Sequence, residues 1–350
     1  MNYTSDIKTN DAEGVIMKKV KVLVTAVGGP TAIGVMKCLM NQEDIELIGT
    51  DMRKESAGNA FCRKIYPVHS CKDPAYKDDI LSIVKKESID AVIPTMQDEI
   101  SLFHDFDPGA WTALPESDHT ECLTDKQKMY ELLQNDLPDI IPFYIPFTEN
   151  DELNTIYADY FLNSKVFCVK ATNSHGGLGF AVLSGDEETL IQALENHRTV
   201  IPVDLFSKTK SKGRMLAMEY LQGQEYSVDI LLNRGEVIAC VPRLRSRVST
   251  GIVIEGTVEK NDALIDLASR VAKRLIRSGF INLQFFVNGQ TVKLIDLNAR
   301  FCGSQVHSYG AGVNFPYLLL EQHFYGRVGP VRPKWNTRII RYWESVFFND

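Results

Sequence analysis

Residues 294–300, with the sequence Leu-Ile-Asp-Leu-Asn-Ala-Arg, are the most informative segment of the chain. Its apolar residues alternate with polar ones, which predicts a strand with one apolar and one polar face. The carboxylate of Asp296, the amide of Asn298 and the guanidinium of Arg300 then point to the same side. Two oxygen ligands beside a fixed positive charge suit a metal-bound phosphate. The alternative for this segment alone is a half-buried strand whose polar face meets solvent.

The composition of the chain limits the classes of protein to which it can belong. Its 350 residues suggest two or three structural units. A hydrophobic content of 44% with 24% charged residues is ordinary for a globular protein. The net charge of -7 argues against a nucleic-acid-binding protein held by phosphate contacts. Because no apolar run is long enough to cross a bilayer, we also expect no membrane association.

The cysteines and the N-terminal residues indicate the cellular compartment. The seven cysteines are an odd number without C-x-x-C spacing, and residues 1–18 lack the apolar core of a signal peptide. We therefore predict a disordered tail over residues 1–18, reduced thiols, a cytoplasmic location and no zinc site. Cys302 follows the polar strand and could be a nucleophile, but a small buried side chain is the favoured interpretation.

Residues 19–118 begin with alternating strands and helices. Predicted strands over 20–25, 45–49 and 91–94 are separated by helical segments, which indicates an open parallel sheet.

A glycine-rich turn follows the first of these strands. Gly28, Gly29 and Gly34, with Asp51 after the second strand, resemble a dinucleotide-binding fingerprint. Thr31 stands where that fingerprint requires glycine. We therefore predict no nicotinamide site, but a helix that opens with glycine and packs close to its strand.

A lysine stands at the start of a predicted helix. Residues 124–127, Thr-Asp-Lys-Gln, match a capping box whose helix continues to about Asn135. Lys126 falls in the first turn, where a positive charge is unfavourable to the helix dipole. It is either a solvated surface residue or a residue that faces an anion.

A glycine-rich loop over residues 173–179 separates two predicted strands. Strands on both sides make a hairpin flap, whereas a Walker A loop would continue into a helix. Backbone N–H groups of such a loop can approach phosphate oxygens closely, and Lys170 on the preceding strand is well placed for a phosphate. The alternative is an ordinary turn. For His175, an exposed loop histidine is favoured over a catalytic one.

Three arginines alternate along a later segment. The strand over 223–231 carries Glu225, and Arg243, Arg245 and Arg247 follow on what is predicted to be one side of the next strand. Positive charge concentrated in an acidic protein indicates an anionic ligand, either a phosphate or a substrate carboxylate. A charged edge strand is the alternative.

Asn-Gly at positions 288–289 predicts a hairpin. A three-residue loop, 288–290, places Gln284 and Asp296 on one face as diagonal neighbours, about 7–8 Å apart at the backbone. A two-residue loop at 288–289 places them on opposite faces. We predict the three-residue loop, because it also keeps the apolar side chains of both strands together. Gln284 and Asp296 then converge on one cation or phosphate cluster.

These motifs, in this order, resemble the ATP-grasp superfamily, and within it the synthetase domains of carbamoyl phosphate synthetase. The resemblance covers roughly residues 20–330 and implies a fold of class α/β and α+β. An N-terminal open parallel α/β domain, the pre-ATP-grasp domain, would precede a two-lobed ATP-grasp fold. The implied units are a pre-ATP-grasp domain over 19–118, an ATP-grasp domain over 119–330 with a lid lobe over 140–220 and a metal-binding lobe over 221–330, and a C-terminal strand or dimer contact over 331–350.

The resemblance also implies roles for single residues. Those implied to bind ATP are Lys126, Lys170, the flap residues Ser174, His175, Gly176 and Gly177, the adenine-contacting Glu219, Tyr220 and Leu221, and the ribose-binding Glu225. Those implied to bind metal are Gln284, Asp296 and Asn298, and the catalytic residues would be Arg300, Arg243 and Arg245. Asp296 replaces the glutamate that is usual in the family.

The implied activity is that of an ATP-dependent carboxylate–amine ligase that uses Mg²⁺, with Mn²⁺ as an alternative. A substrate carboxylate would become an acyl phosphate, and an amine would displace the phosphate. A carbamoyl phosphate synthetase-like phosphorylation of bicarbonate or carbamate is less favoured, because the chain has a single synthetase unit. A nucleotide-binding protein without catalysis is less favoured because the site residues are intact. The expected partners are small-molecule substrates, with a homodimer left open.

Overall fold

The structure, a computed structural model, describes residues 19–173, 179–211, 213–249, 251–326 and 328–348. The tail predicted over residues 1–18 lies outside these ranges. Three β-sheets organise the described chain. All seven cysteines are free thiols. None of the described helices has the length and apolar character that are needed to span a membrane.

The first sheet is parallel throughout and confirms the predicted open α/β unit. Its strands are β1 (Val20–Val24), β2 (Ile45–Asp51), β3 (Lys64–Pro67), β4 (Ala91–Ile93) and β5 (Trp111–Thr112), and its helices are α1 (Pro30–Leu39), α2 (Ala75–Glu87) and α3 (Gln97–His104). The strands lie in the order β3-β2-β1-β4-β5. The edge strands β3 and β5 are short and only half-buried, so they lack the continuous apolar runs that revealed the central strands.

The second sheet follows α4 (Lys126–Leu133) and contains the predicted flap hairpin. Its strands are β6 (Tyr144–Phe147), β7 (Val166–Ala171), β8 (Phe180–Ser184), β9 (Ile201–Pro202) and β10 (Met215–Glu219), and its helices are α5 (Leu153–Ile156), α6 (Glu187–Glu195) and α7 (Val203–Phe206). The order is β6-β10-β7-β8-β9. Strands β7 and β8 pair antiparallel and are thus the two strands of the predicted hairpin.

The third sheet is antiparallel throughout. Its strands are β11 (Gln224–Asn233), β12 (Glu236–Ser249), β13 (Ile252–Val258), β14 (Gly279–Asn288), β15 (Thr291–Asn298) and β16 (Thr337–Ile340), and its helices are α8 (Asp262–Leu275), α9 (Val306–Gly310) and α10 (Phe315–Tyr325). The order is β15-β14-β11-β12-β13-β16. Short 3-10 helices lie at Ala57–Ala60, Thr120–Leu123, Pro138–Ile140 and Asn150–Glu152, and a π-helix at Tyr157–Phe161. The predicted limits of the two lobes stay predictions.

Helix α8 covers the apolar face of the third sheet. The side chain of Asn261 accepts a hydrogen bond from the N–H of Leu264 at 3.0 Å and so caps the helix. The buried stripe of the helix contains Leu264, Ala268, Val271 and Leu275 and packs in the same core as Leu283 of β14. Burial of each larger aliphatic side chain contributes about 1.5–3 kcal/mol. This packing fixes which face of the sheet remains for polar residues.

The loop after β15 contacts the first sheet's helix α1. A Cβ atom placed on Gly34 would lie 3.7 Å from the carbonyl oxygen of Gly303, and one placed on Gly303 would lie 3.7 Å from the Cβ of Pro30. The glycine-opened helix predicted from the sequence therefore packs closely, but against the loop after β15 as well as against its own sheet.

Candidate active site

One face of four neighbouring strands is polar. The side chains on this face are Asp296 and Asn298 on β15, Gln284 and Asn282 on β14, Glu225, Ser227 and Asp229 on β11, and Arg243 and Arg245 on β12. The residues between them on each strand point to the opposite face, where α8 packs. The alternation of polar and apolar side chains in residues 294–300 therefore recurs on the neighbouring strands β14, β11 and β12.

The hairpin between β14 and β15 differs from its prediction. Asn288 pairs with Thr291, so the loop is the two-residue Gly289-Gln290 and not residues 288–290. The predicted diagonal placement of Gln284 and Asp296 is wrong as well, because Gln284 lies directly opposite Asp296. An extra residue, Ile295, is inserted in β15 next to this pair. Such a bulge shifts the register by one residue and restores the predicted faces.

Two lysines converge on the carboxylate of Asp296. The Nζ of Lys126 lies 3.2 Å from one carboxylate oxygen, and the Nζ of Lys170 lies 3.2 Å from the other. The three side chains are only 8–17% exposed. Lys170 also donates to the carbonyl oxygen of Ile295 at 2.9 Å, so the bulge residue helps to hold it. The residues predicted to bind phosphate and metal thus meet at one point.

The charges of this cluster modify one another. Burial raises the pKa of Asp296, but Lys126 and Lys170 together bring it below its ordinary value. Burial is the largest effect on Lys170 and lowers its pKa, although Asp296 opposes that change. Two ammonium groups and one carboxylate leave the cluster with a net positive charge, which favours an anion.

Lys126 is the first residue of α4. The helix is capped by Asp125 and not by Thr124, because the Asp125 carboxylate accepts from the N–H groups of Gln127 at 3.0 Å and Lys128 at 3.3 Å. The N–H of Lys126 donates to the carbonyl oxygen of Thr172, next to the flap, at 2.8 Å. Since Lys126 is only 7% exposed, it is not a solvated surface residue.

The arginines of β12 do not gather around one anion. Arg243 is 1% exposed and donates to the Asp229 carboxylate at 2.8 Å, Arg245 lies 2.9 Å from Glu225, and Arg247 binds Glu255. The pairing of β12 with β13 shifts on both sides of Arg247. Each of the three arginines therefore has a carboxylate partner of its own, with Arg243 in a buried ion pair, and the catalytic roles of Arg243 and Arg245 stay predictions.

A buried hydrogen-bond chain connects Asn298 to this ion pair. The Nδ2 of Asn298 donates to Asn282 at 3.4 Å, and the Nδ2 of Asn282 donates to Asp229 at 2.8 Å. Ser308 donates to the other oxygen of Asp229 at 2.6 Å. Sequence reasoning missed Asp229, although it lies at an alternating position four residues after Glu225. These hydrogen bonds orient the side-chain amide of Asn298 and leave its Oδ1 available to a ligand.

Arg300 lies just beyond β15. One of its nitrogens donates to the carbonyl oxygen of Phe301 at 2.8 Å, whereas its Nε has no partner among the described residues. Burial lowers its pKa, and Cys302, Asp296 and Glu99 oppose that change. Arg300 is therefore within electrostatic range of both Asp296 on the polar face and Glu99 on α3.

The predicted adenine hinge connects two sheets. Residues 219–221 lie between β10 of the second sheet and β11 of the third. The carboxylate of Glu219 accepts from the N–H of Phe143 at 2.8 Å, and Tyr220 is 41% exposed. The side chain of Glu219 is thus engaged, and the backbone of the hinge is the part that could contact a base.

Family models and solved structures agree with this architecture. Residues 211–344 match the family described as ATP-grasp in the biosynthetic pathway with Ter operon, and residues 22–108 match the PylC-like N-terminal domain. Residues 211–344 are thus identified as an ATP-grasp domain, and residues 22–108 as a PylC-like N-terminal domain. No curated protein sequence matches this chain.

Three solved structures illustrate the similarity of fold. The L-amino acid ligase from Bacillus licheniformis matches with a TM-score of 0.60 at 16% identity, over 90% of this chain and 78% of that one. N5-carboxyaminoimidazole ribonucleotide synthetase from Thermus thermophilus gives 0.64 at 16%, over 91% and 82%. Biotin carboxylase from Campylobacter jejuni gives 0.63 at 16%, over 87% and 71%. At such identities the likeness concerns the fold.

Ser174, His175, Gly176 and Gly177 fall outside the described residues. The carboxylate of Asp51 accepts from the N–H groups of Gly28 at 2.8 Å and Arg53 at 3.0 Å, so it stabilises its own turn.

An open cavity of about 250 Å³ lies between α3 and the start of α4. Gln97 and Asp125 line this cavity and also a smaller one that reaches Lys126 and Asn298. Gln97 is the first residue of α3, a helix of the first sheet. The two cavities offer a route to the polar face.

We predict that Asp229→Asn strongly destabilises the ATP-grasp fold. Asp229 is 0% exposed, and its replacement leaves the Arg243 guanidinium buried without a counter-charge. Removal of one partner of a buried ion pair costs about 3–5 kcal/mol, and we expect the free energy of unfolding in urea to fall by about that amount. Glu255→Gln, which affects the exposed Arg247, is the matched control and should cause a several-fold smaller decrease. Equal decreases would contradict this account of the buried pair.

Proposed function

We propose that the protein is an ATP-dependent ligase that activates a substrate carboxylate as an acyl phosphate and joins it to an amine. The observation that carries the proposal is the convergence of Lys126 and Lys170 on Asp296, with Gln284 directly opposite. The structural relatives include an enzyme whose name states that it ligates amino acids, which supports a carboxylate–amine ligase. A cytoplasmic location and a homodimer stay predictions.

The donor set of the polar face fits Mg²⁺. It offers the carboxylate of Asp296 and the amide oxygens of Gln284 and Asn298, which are hard oxygen ligands. Asn298 uses its Nδ2 toward Asn282, which leaves the oxygen for a cation. The described residues contain no cluster of three or more histidine, cysteine or acidic side chains. With so few protein ligands, we expect Mg²⁺, or Mn²⁺ in its place, to bind together with the phosphates of ATP.

The chain's own residues would then position the reacting groups. When bound, the metal ion supplies charge neutralisation on the phosphates. Lys126 and Lys170 exchange the Asp296 carboxylate for phosphate oxygens, and Arg300 stabilises the charge on the γ-phosphoryl group during transfer. The substrate carboxylate oxygen forms a bond to the γ-phosphorus, and ADP leaves. The amine nitrogen then bonds to the carbonyl carbon, phosphate leaves, and the nitrogen loses a proton.

The nucleotide is proposed to lie between the second and third sheets. The hinge at residues 219–221 would contact adenine through its backbone, and Glu225 would bind the ribose hydroxyls. Glu225 already holds Arg245 at 2.9 Å, so the pair would act together toward the nucleotide. The flap residues Ser174 to Gly177 keep their predicted role toward the phosphates.

We predict that Lys126→Met and Lys170→Met each weaken the binding of MgATP by at least about tenfold, the equivalent of about 1.4 kcal/mol. Each substitution removes a buried ammonium group that faces the phosphates and leaves Asp296 less neutralised. Lys128→Met changes the neighbouring exposed lysine, which binds Glu121, and should leave the affinity unchanged. Calorimetric titration of the three variants measures the difference. An equal effect of Lys128→Met would argue against a specific role for the buried pair.

A hydroxamate screen tests the proposed reaction without knowledge of the amine. Carboxylates, amino acids and bicarbonate are each incubated with the protein, MgATP and hydroxylamine, which traps acyl phosphates. The proposal predicts hydroxamate and phosphate in equal amounts with at least one organic carboxylate. Phosphate release with bicarbonate alone would support the carbamoyl phosphate synthetase-like alternative. ATP binding without turnover on any compound would support a non-catalytic nucleotide-binding protein.

A further inference from the structure

The start of α4 is bound to the second sheet by a closed series of contacts. The N–H of Lys126 donates to the carbonyl oxygen of Thr172 at 2.8 Å, and the N–H of Thr172 donates to the carbonyl oxygen of Arg214 at 3.2 Å. The guanidinium of Arg214 in turn donates to the carboxylate of Asp125, the residue before Lys126. We call these four residues the α4 ring. The ring connects the first turn of the helix to the ends of two neighbouring strands.

The α4 ring links the backbones of the two lysines that converge on Asp296. Arg214 and Thr172 extend the antiparallel pairing of β10 with β7 by one residue. Lys170 lies on β7, two residues before Thr172. The backbone hydrogen bond from Lys126 to Thr172 therefore fixes where one lysine stands relative to the other.

The carboxylate of Asp125 makes two kinds of contact in the α4 ring. One oxygen accepts from the N–H groups of Gln127 at 3.0 Å and Lys128 at 3.3 Å and so caps the first turn. The other oxygen pairs with Arg214. The side chain of Asp125 is 9% exposed, so the ion pair is partly shielded from water although Arg214 is 54% exposed. Arg214 therefore fixes the capping residue, and the capping residue fixes the turn that carries Lys126.

A second arginine–aspartate pair shows how the pair of the α4 ring differs from an ordinary surface contact. Arg274 and Asp136 form an ion pair in which both side chains are about half exposed, at 47% and 48%. Such a pair contributes little to stability. Asp125, by contrast, is buried, caps a helix and lines both cavities, the smaller of which reaches Lys126. Loss of its partner leaves a largely buried carboxylate without its counter-charge.

We propose that Arg214 is a positioning residue for Lys126. The inference rests on the proposed function and deepens it, since it names a further residue that tight binding of MgATP requires. Arg214 fixes Asp125, and Asp125 fixes the first turn of α4. That turn places the Nζ of Lys126 beside the Nζ of Lys170. The phosphates of ATP then meet two ammonium groups at a fixed separation, and Arg214 acts without touching the nucleotide.

Two substitutions at the ion pair distinguish positioning from a long-range effect of charge. Asparagine caps a helix as well as aspartate does, so Asp125→Asn breaks the ion pair and keeps the cap. If Arg214 acted only through its charge, Asp125→Asn would remove a negative charge near the phosphates and strengthen the binding of MgATP. Positioning predicts instead that Asp125→Asn and Arg214→Met each weaken this binding by about 3- to 10-fold in calorimetric titration. Stronger or unchanged binding by Asp125→Asn would overturn the proposal.

A conservative and a remote substitution serve as controls. Arg214→Lys keeps a donor and a positive charge near Asp125, and it should recover most of the affinity that Arg214→Met loses. Arg274→Met, at the exposed pair with Asp136, should bind MgATP like the unmodified chain. An equal loss of affinity in Arg274→Met would count against a specific role for Arg214.

A double variant tests whether Arg214 acts through Lys126. Arg214→Met is combined with Lys126→Met, and MgATP is titrated until the sites are saturated. Without the ammonium group of Lys126 there is no charge left to position, so the double variant should bind MgATP like Lys126→Met alone, within about twofold. A merely structural role would lower the affinity by the same factor in both backgrounds, and that result would contradict positioning.

The unmodified chain separates this inference from the proposed function. If it binds MgATP and Arg214→Met binds MgATP equally well, the positioning role is rejected and the proposed ligase function stands. If the unmodified chain binds no MgATP, the proposed function is rejected.

Discussion

Replacement of Asp296 by asparagine is expected to abolish ATP-dependent turnover and, at the same time, to improve the binding of ATP without a metal. In the structure the carboxylate forms ion pairs with both Lys126 and Lys170, at 3.2 Å each. Without it, both ammonium groups are available to the phosphates. We expect the affinity for metal-free ATP to rise at least about tenfold, since 1.4 kcal/mol corresponds to a factor of ten and charges at this distance interact by more than that.

Turnover should fall by more than about 100-fold in the same variant, because a ligand to the metal and a fixed negative charge are both lost. Calorimetry with ATP in the presence of a chelator, and phosphate release with Mg²⁺, measure the two effects. Asp118→Asn is the control, since Asp118 binds the exposed Arg277. If Asp296→Asn weakens metal-free ATP binding, Asp296 does not compete with phosphate for the lysines.

Replacement of Arg300 should impair the reaction and spare the binding of nucleotide. Its Nε has no partner in the described chain, and the guanidinium interacts electrostatically with Asp296. A donor that stabilises developing charge is worth about 100- to 1,000-fold in rate. We expect Arg300→Gln to lower kcat by about that factor, with the affinity for MgATP changed less than about threefold.

Arg300→Lys separates charge from geometry. The ammonium retains the charge but not the planar fork, so we expect it to recover only part of the rate. Arg277→Lys, at an exposed ion pair, is the matched control and should behave like the unmodified protein. Equal losses of MgATP affinity and kcat in Arg300→Gln would instead place Arg300 in ground-state nucleotide binding.

The polar face could be predicted because its signal is local. Alternation along residues 294–300 determines that Asp296 and Asn298 share a face, whatever their neighbours are. The same holds for Asn282 and Gln284 on β14. The ATP-binding roles of Lys126 and Lys170 were predicted from the resemblance of a series of motifs to the ATP-grasp superfamily. The convergence of both lysines on Asp296 agrees with these roles.

The register of the hairpin could not be predicted, since the bulge at Ile295 leaves no mark in the sequence. The loop is one residue shorter than predicted, and one residue is inserted in β15. These two differences compensate for each other, so the same side chains share a face as predicted. The prediction about faces was therefore confirmed although the pairing behind it was wrong.

The partners of the β12 arginines depend on contacts between strands. Asp229 neutralises Arg243 from a neighbouring strand, and Glu225 neutralises Arg245 in the same way. A single sequence shows which charges alternate along one strand, but not which strand lies beside it. The same limit applies to β16, which joins the far edge of the sheet beside β13.

The most direct measurement of the central claim follows an oxygen atom. A carboxylate that is active in the hydroxamate screen is labelled with oxygen-18 in its carboxyl group and incubated with the protein, MgATP and an amine. If the carboxylate attacks the γ-phosphorus, the released phosphate carries oxygen-18 and the nucleotide product is ADP. Unlabelled phosphate, or AMP with pyrophosphate, would contradict activation through an acyl phosphate.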